Sequence, residues 1–297
     1  NLCGALEFAE KLSKSGSQPI IGTQINFQLN ETIGLLPLFA LNENGYKNII
    51  ELSSKSFLNN DELSEPHLDF KELLAKNEGV AIFSGTFNGL FGQLFYKGKF
   101  TEINEMYKKL KDVYEDRFYI EIQRHGDQNE KDFERFNLEN SKKLEIPLIA
   151  TNEVFYLNKD MHEAHDALIC IKNKTYVTEK NRVRFSNQHY LKSNSEMTNL
   201  FADLPEALDN NYNFPFRCNF RPLSSKPILP NISSEKGLSA DEILKKDSLK
   251  GLSEKFFKIF KTDTKELLKD KNYLRYKDRL DHELEIIIKM NYSSYFL

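Results

Sequence analysis

Short, mainly apolar runs at 19–22, 36–40, 80–83, 118–122 and 146–150 predict strands buried on both faces, since a strand with one face in water alternates polar and apolar positions. Helical spacing fills most of the intervals. Leu2, Ala5, Leu6, Ala9 and Leu12 share one helix face, and Gly16 with Pro19 marks the turn before the first strand. Tyr46, Ile49, Ile50 and Phe57 predict a second helix, Ile103, Met106, Tyr107, Leu110 and Val113 a third, and residues 130–144 a fourth. Alternation of buried strand and amphipathic helix predicts parallel pairing, because parallel neighbours need a crossover and a helix usually supplies it. The fold class is therefore α/β. Periodicity alone leaves a barrel and a doubly wound sheet both open.

Residues 79–96 carry no charge over nearly the length of a membrane span. Gly79, Gly85, Gly89 and Gly92, with Ser84, Thr86, Asn88 and Gln93, instead predict a buried strand followed by a glycine-rich loop. The pattern changes after Arg221. Pro222, Ser224, Ser225, Pro227, Pro230, Ser233 and Ser234 form a connection with no apolar period. Ser239 and Glu242 then have the spacing of a capping box, and Ile243, Leu244, Leu249 and Leu252 begin an apolar stripe. The expected division is a domain over 1–221, a linker over 222–238 and a mainly helical segment over 239–297.

Composition narrows the function classes. Of the 297 residues, 40% are hydrophobic and 29% charged, which excludes collagen and simple disorder. Lys plus Arg number 41 against 44 Asp plus Glu, so no basic arm for nucleic acid stands out. Cys3, Cys170 and Cys218 are odd in number and far apart, suggesting neither a disulfide framework nor a zinc cluster and fitting a cytoplasmic location. The chain opens at Asn1 without Met, basic n-region or apolar h-region, so a fragment without a signal peptide is expected, and no membrane partner.

The densest group of ligand-type residues is His162, Glu163, His165 and Asp166. A spacing of three puts the two histidines on one helix face, but it is not HExxH and no third ligand is near, so polar helix surface is the expected role. His125 follows the strand at 118–122, at the carboxyl end where α/β proteins present reactive groups. Asn152 and Glu153 follow the strand at 146–150 in the equivalent place, either adding a carboxylate to that rim or capping the next turn. Gly85, Gly89 and Gly92 make no GxGxxG fingerprint, no GxSxG exists, and no cysteine has the context of a nucleophile.

Taken in chain order, the motifs resemble a known family. Asn1, Leu2, Gly4 and Phe8, then Pro19, Ile20, Ile21 and Gly22, resemble the NLxGxxxF…KPIIG segment of the PHP domain in bacterial replicative C-family DNA polymerases, the polymerase III alpha subunits. Leu41, Asn42, Gly45, Tyr46, Lys47 and Asn48 resemble its LAxNxxGYxNL helix start. Residues 120–126 (IEIQRHG) are similar to the ELQxHG strand end, and 148–157 (LIATNEVFYL) to LVATNDVHYL. Residues 163–171 (EAHDALICI), then Met197, Leu200, Phe201 and 203–208 (DLPEAL), continue the match. Tyr276, Arg279, Leu280, Glu283, Leu284, Ile287, Met290, Tyr295, Phe296 and Leu297 resemble the YxxRLExELxxIxxMGFxGYFL start of the polymerase palm.

The resemblance implies a distorted, incomplete β/α barrel of PHP type, lacking its first strands with their HxHxxxS and TDH motifs, followed by a mainly helical start of the palm. It implies a parent enzyme that performs template-directed DNA synthesis with Mg²⁺ held by carboxylates outside this chain. It implies three partners: the proofreading exonuclease subunit, the sliding-clamp machinery and primed DNA template. Family members with a working PHP metal cluster place an acid, a His, a Glu and a His where this chain has Gln24, Leu35, Thr86 and Phe155, leaving His125 and Glu153. Leu and Phe donate no lone pair to a cation, and Gln and Thr give only uncharged oxygens. The domain is therefore expected to be a structural and partner-docking scaffold with a degenerate site. No catalytic residue, cofactor site or metal ligand is assigned within the chain. The alternative is a metal-dependent PHP phosphoesterase; a stand-alone enzyme of the histidinol-phosphate type is disfavoured by the palm-like text of 276–297.

Overall fold

The computed structural model describes residues 2–61, 64–127, 129–226, 237–261 and 269–297. Contacts divide the chain into two compact units, Asn1–Ser224 and Ser225–Leu297. Most of the expected 222–238 linker lies outside the described residues.

The first unit runs α1 (Ala5–Lys14), β1 (Gly22–Leu29), β2 (Thr32–Ala40), α2 (Glu43–Leu58), β3 (Leu68–Asp69), α3 (Phe70–Ala75), β4 (Val80–Phe83), α4 (Leu90–Tyr96), α5 (Phe100–Tyr114), β5 (Phe118–Ile122), α6 (Glu130–Leu144), β6 (Leu148–Ala150), α7 (His162–Asn173), α8 (Asn194–Leu200) and α9 (Pro205–Asn213). The six strands form one mixed sheet in the order β3-β1-β2-β4-β5-β6. Among the described residues it is open, with β3 and β6 at its edges, which is the incomplete β/α barrel arrangement.

The runs at 80–83 and 118–122 are strands with every residue buried. Their side chains alternate between two cores. Val80, Ile82, Phe118, Ile120 and Ile122 face the main core with Ile49, Leu52, Tyr107 and Leu110 from the helices. Ala81, Phe83, Tyr119 and Ile149 face a second cluster closed by Phe214 and Cys218. Full burial of a Phe or Ile side chain contributes roughly 1.5–3 kcal/mol, so both cores depend on the apolar positions of these strands.

Three expectations are corrected. The apolar run at 19–22 ends where β1 begins; β1 alternates, with Ile25 and Phe27 buried and Gln24 and Gln28 exposed, so its signal has period two and not a continuous run. The pairing is not wholly parallel. β1 and β2 are an antiparallel hairpin closed at Leu29↔Thr32, with Asn30 at φ +51°, a conformation Asn tolerates, and β2 pairs antiparallel with β4. Among the described strand pairs, β1–β3, β4–β5 and β5–β6 are parallel. Finally, the glycine-rich loop stops at Gly89, where α4 starts.

Gly92 makes that helix compatible with the loop before it. A Cβ there would lie 1.9 Å from the Phe87 carbonyl oxygen, so α4 packs on the loop only without a side chain. Gly85, at φ +81°, supplies the left-handed turn after β4.

Glu121 is the exception in β5, a carboxylate inside a strand. Its backbone N–H donates to Ser84 Oγ at 2.9 Å, Gln123 Nε2 donates to its Oε1 at 2.9 Å, and the Thr151 hydroxyl donates to the same oxygen. Its Oε2 has no partner among the described residues. Burial raises its pKa above the ordinary carboxylate value, against those hydrogen bonds.

The second unit contains α10 (Ala240–Phe260), α11 (Lys271–Lys289) and α12 (Ser293–Phe296). Ser239 and Glu242 make the reciprocal capping box, and Asp270 caps α11 through Asn272 N–H at 2.7 Å. Phe256 meets Tyr273 edge-on at 5.4 Å, and Ser253 Oγ lies 3.0 Å from the Tyr273 hydroxyl. Among the described residues no helix is long and apolar enough to cross a membrane.

Two outcomes are expected. Gly92→Ala should destabilise the first unit by about 2 kcal/mol, the cost of overpacking against backbone, read by denaturant unfolding. Glu121 holds its proton more tightly folded than unfolded, so its ionisation should erode stability as pH rises above the ordinary carboxylate range. Glu121→Gln should therefore stabilise the protein at pH 8, by roughly 1–3 kcal/mol, and the gain should shrink towards pH 4. Thermal melts across that range would reject the assignment if the variant were less stable at pH 8.

Candidate functional site

A cleft of about 620 Å³ opens at the carboxyl ends of β4, β5 and β6. Gly85 and Thr86 reach it after β4, Asp127 after β5, and Glu153 and Phe155 after β6; Gln24 and Leu35 close it from the hairpin. All four positions named for their departure from the PHP ligand set, Gln24, Leu35, Thr86 and Phe155, thus line one cavity. A cluster of two or three cations needs a carboxylate-rich shell to balance its charge. This wall offers an amide, a hydroxyl, an alkyl group and a phenyl ring, and the residues do not fit such a cluster.

Beside the cleft lies a buried arrangement built on His125. Its backbone N–H donates to both oxygens of Glu130, at 2.7 and 2.9 Å, and Gly126 N–H donates to Oε2 at 2.8 Å. Gly126 takes φ +77°, which turns the chain so that both N–H groups reach the carboxylate. His125 Nδ1 is 3.5 Å from Glu130 Oε1. Burial opposes ionisation of Glu130, but these contacts hold its pKa below the usual value.

The His125 ring stacks on His189 at 3.9 Å with 4° between the planes. Phe155 stacks on His189 at 4.9 Å and on His165 at 5.0 Å. The segment carrying His189 is tied to the β6 rim by Phe155 N–H donating to His189 O at 2.9 Å and by a Tyr156↔Tyr190 bridge. His189 Nδ1 lies 3.0 Å from Glu153 O. Burial, with His125 adding to it, pushes the His189 pKa down to about 4, so the ring is neutral at pH 7. Burial raises Asp127, with Glu130 adding to it, and raises Glu153.

The sequence assigned no metal ligand, yet His125, Asp127 and His189 each place one donor atom within 4.8 Å of the others. Of these only His125 was singled out. Asp127 sits in a polar loop and His189 in an irregular stretch with no periodicity, so nothing local marked either. The other expected residues part company. His162 Nε2 lies 2.9 Å from Phe185 O, and His165 stacks on Phe155, so the two do not converge on one cation. Glu163 is exposed. Asp166 does not face water as expected: it is buried and takes a two-pronged ion pair from Arg182, both contacts 2.6 Å, which lowers its pKa. Asn152 does not cap a turn; its Nδ2 donates to Tyr190 O at 2.8 Å and its Oδ1 accepts from Lys192 Nζ at 3.1 Å.

Comparison with known proteins agrees with this geometry. Residues 1–125 match the PHP domain model. The whole chain aligns with DNA polymerase III subunit alpha of Rickettsia bellii at 36% identity, covering 25% of that protein. It aligns with the same subunit of Caulobacter vibrioides at 35% and of Pseudomonas aeruginosa at 31%, covering 26% of each. The chain spans about a quarter of the length of the curated relatives it matches. It carries a PHP domain and belongs with the bacterial DNA polymerase III alpha subunits, as the counterpart of a quarter-length segment of them.

Proposed function

We propose that this chain is part of a replicative DNA polymerase III alpha subunit that performs template-directed DNA synthesis in the bacterial cytoplasm. Residues 1–221 are its PHP domain, 222–238 a linker, and 239–297 the helical start of the palm region. The observation that carries this reading is the alignment of the entire chain, both units included, with one contiguous quarter of the relatives. A stand-alone PHP phosphoesterase would have no use for the second unit.

Within that enzyme the first unit is a scaffold that stabilises the polymerase and docks the proofreading exonuclease and the sliding-clamp machinery. Phosphate-ester hydrolysis by a PHP cluster needs several cations to activate water and neutralise the phosphate. The side chains of Leu35 and Phe155 stand in the cleft where such cations would need lone pairs. Mg²⁺ for nucleotide addition is held by carboxylates elsewhere in the parent, and primed DNA is its substrate. What this chain supplies is the rigid two-core sheet and its surfaces.

The full-length gene product tests the reading. Mg²⁺-dependent extension of a primed template is expected, together with retention of the exonuclease in a pull-down and no phosphate release from nitrophenyl mono- or diesters with Mn²⁺ or Zn²⁺. A full-length protein unable to extend a primer would overturn the polymerase assignment, and metal-dependent turnover of the esters would restore the phosphoesterase alternative.

A further inference from the structure

We propose that Glu121 is held as a carboxylic acid in the folded protein and pairs with the Gln123 amide through two hydrogen bonds, forming a proton-dependent clamp between the β5 and β6 rims of the cleft. Two buried oxygens carry the inference. Glu121 is 6% exposed, and neither its Oε2 nor the Gln123 Oε1 has a hydrogen-bond partner among the described residues. Carboxylate and amide oxygens only accept, so the fold leaves both short of a donor, at roughly 1–3 kcal/mol for each. One proton on Oε2 supplies a donor for the amide oxygen and removes the charge from the carboxyl group.

The other half of the pair is already made. Gln123 Nε2 donates to Glu121 Oε1 at 2.9 Å. Residues two apart along an extended chain share a face, which sets the acid and the amide side by side. In that arrangement the acid accepts an amide N–H on one oxygen and donates O–H to the amide carbonyl from the other, whereas a carboxylate would turn its free oxygen on a second acceptor. Thr151, immediately after β6, completes the clamp: its hydroxyl donates to Glu121 Oε1 and accepts a Gln123 Nε2–H at 2.9 Å. Thr151 N–H also donates to Ile122 O at 3.1 Å, and Glu153 on the cleft wall is two residues further on.

The surroundings do not favour the charged form. Ser84 and Gly85 after β4 and Thr151 after β6 are neutral, and Glu153 adds a like charge. Glu130 and Glu134 of α6 line a cavity of about 20 Å³ that also touches Glu121; the His125 and Gly126 N–H groups engage the first and Arg124 the second. Burial therefore prevails, and the carboxyl keeps its proton above the ordinary carboxylate range. As pH rises through the folded value, the O–H is lost, a charge faces the Gln123 carbonyl, and the hold of β5 on the β6 rim weakens.

Infrared difference spectra of the whole chain with isotope-labelled glutamate test the acid, and hydrogen exchange tests the clamp. At pH 7 the C=O stretch of a protonated carboxyl is expected, absent in Glu121→Gln. Protection of the Thr151 amide, taken relative to the α5 amides, should stay constant while that band persists and fall about tenfold as it disappears, the loss of one or two hydrogen bonds. Glu121→Gln, whose amide keeps one donor and one acceptor in place of the acid, should hold that protection at every pH. Gln123→Leu should lose it at every pH; where that variant fails to fold, Glu121→Gln decides. An ionised Glu121 at pH 7, Thr151 protection that does not follow the band, or pH-dependent protection retained in Glu121→Gln would overturn the proposal.

Discussion

A polar group at the end of a strand buried on both faces finds its partner inside the protein or not at all, and this constraint organises the rim of the sheet. Glu130 is the clearest case. It stands at the first turn of α6, where the helix dipole favours a negative charge, and the His125 and Gly126 N–H groups complete its shell. That anchoring sets the turn between β5 and α6. The turn in turn fixes the plane of the His125 ring, on which His189 is stacked, with Phe155 and His165 following. One carboxylate thus coordinates three segments that are remote in sequence.

The same constraint explains how a PHP-type cleft persists without its usual donors. Cations in such a site neutralise converging carboxylates; without them, a set of acids facing one another would raise their pKa values and repel. Here the wall is Gln24, Leu35, Thr86 and Phe155, and burial pushes the remaining Glu153 and Asp127 towards their neutral forms. Arg182, which borders the cleft, has its charge matched by Asp166 in a paired geometry.

How much of this was legible depended on the kind of signal. β4 and β5 were readable because strands covered on both sides are mainly apolar, with Glu121 the one charged residue in the pair. The helices at Phe100–Tyr114 and Glu130–Leu144 were readable because one face recurs at helical spacing. β1 was not, because a half-buried alternation is a weaker signal than the short apolar run that precedes it. The antiparallel hairpin hung on Asn30 and Glu31 alone, a weaker turn signal than one containing glycine. His125 could be picked out by its place after a strand. His189 could not, because its importance comes from the ring stacked against it and from the Glu153 carbonyl behind it.

By itself, the sequence determined which strands are buried on both faces, where helices cap, and, through ordered motifs from Asn1 to Leu297, which family the chain resembles. These are local or linear properties, written in periodicity and residue type. Only the tertiary structure decided that four departures from the ligand set line one cavity, that Asp166 is a buried ion-pair partner, and that two buried imidazoles stack with Nε2 atoms that have no partner among the described residues. Those outcomes turn on which distant segments meet once water is excluded, and desolvation has no counterpart in a linear pattern.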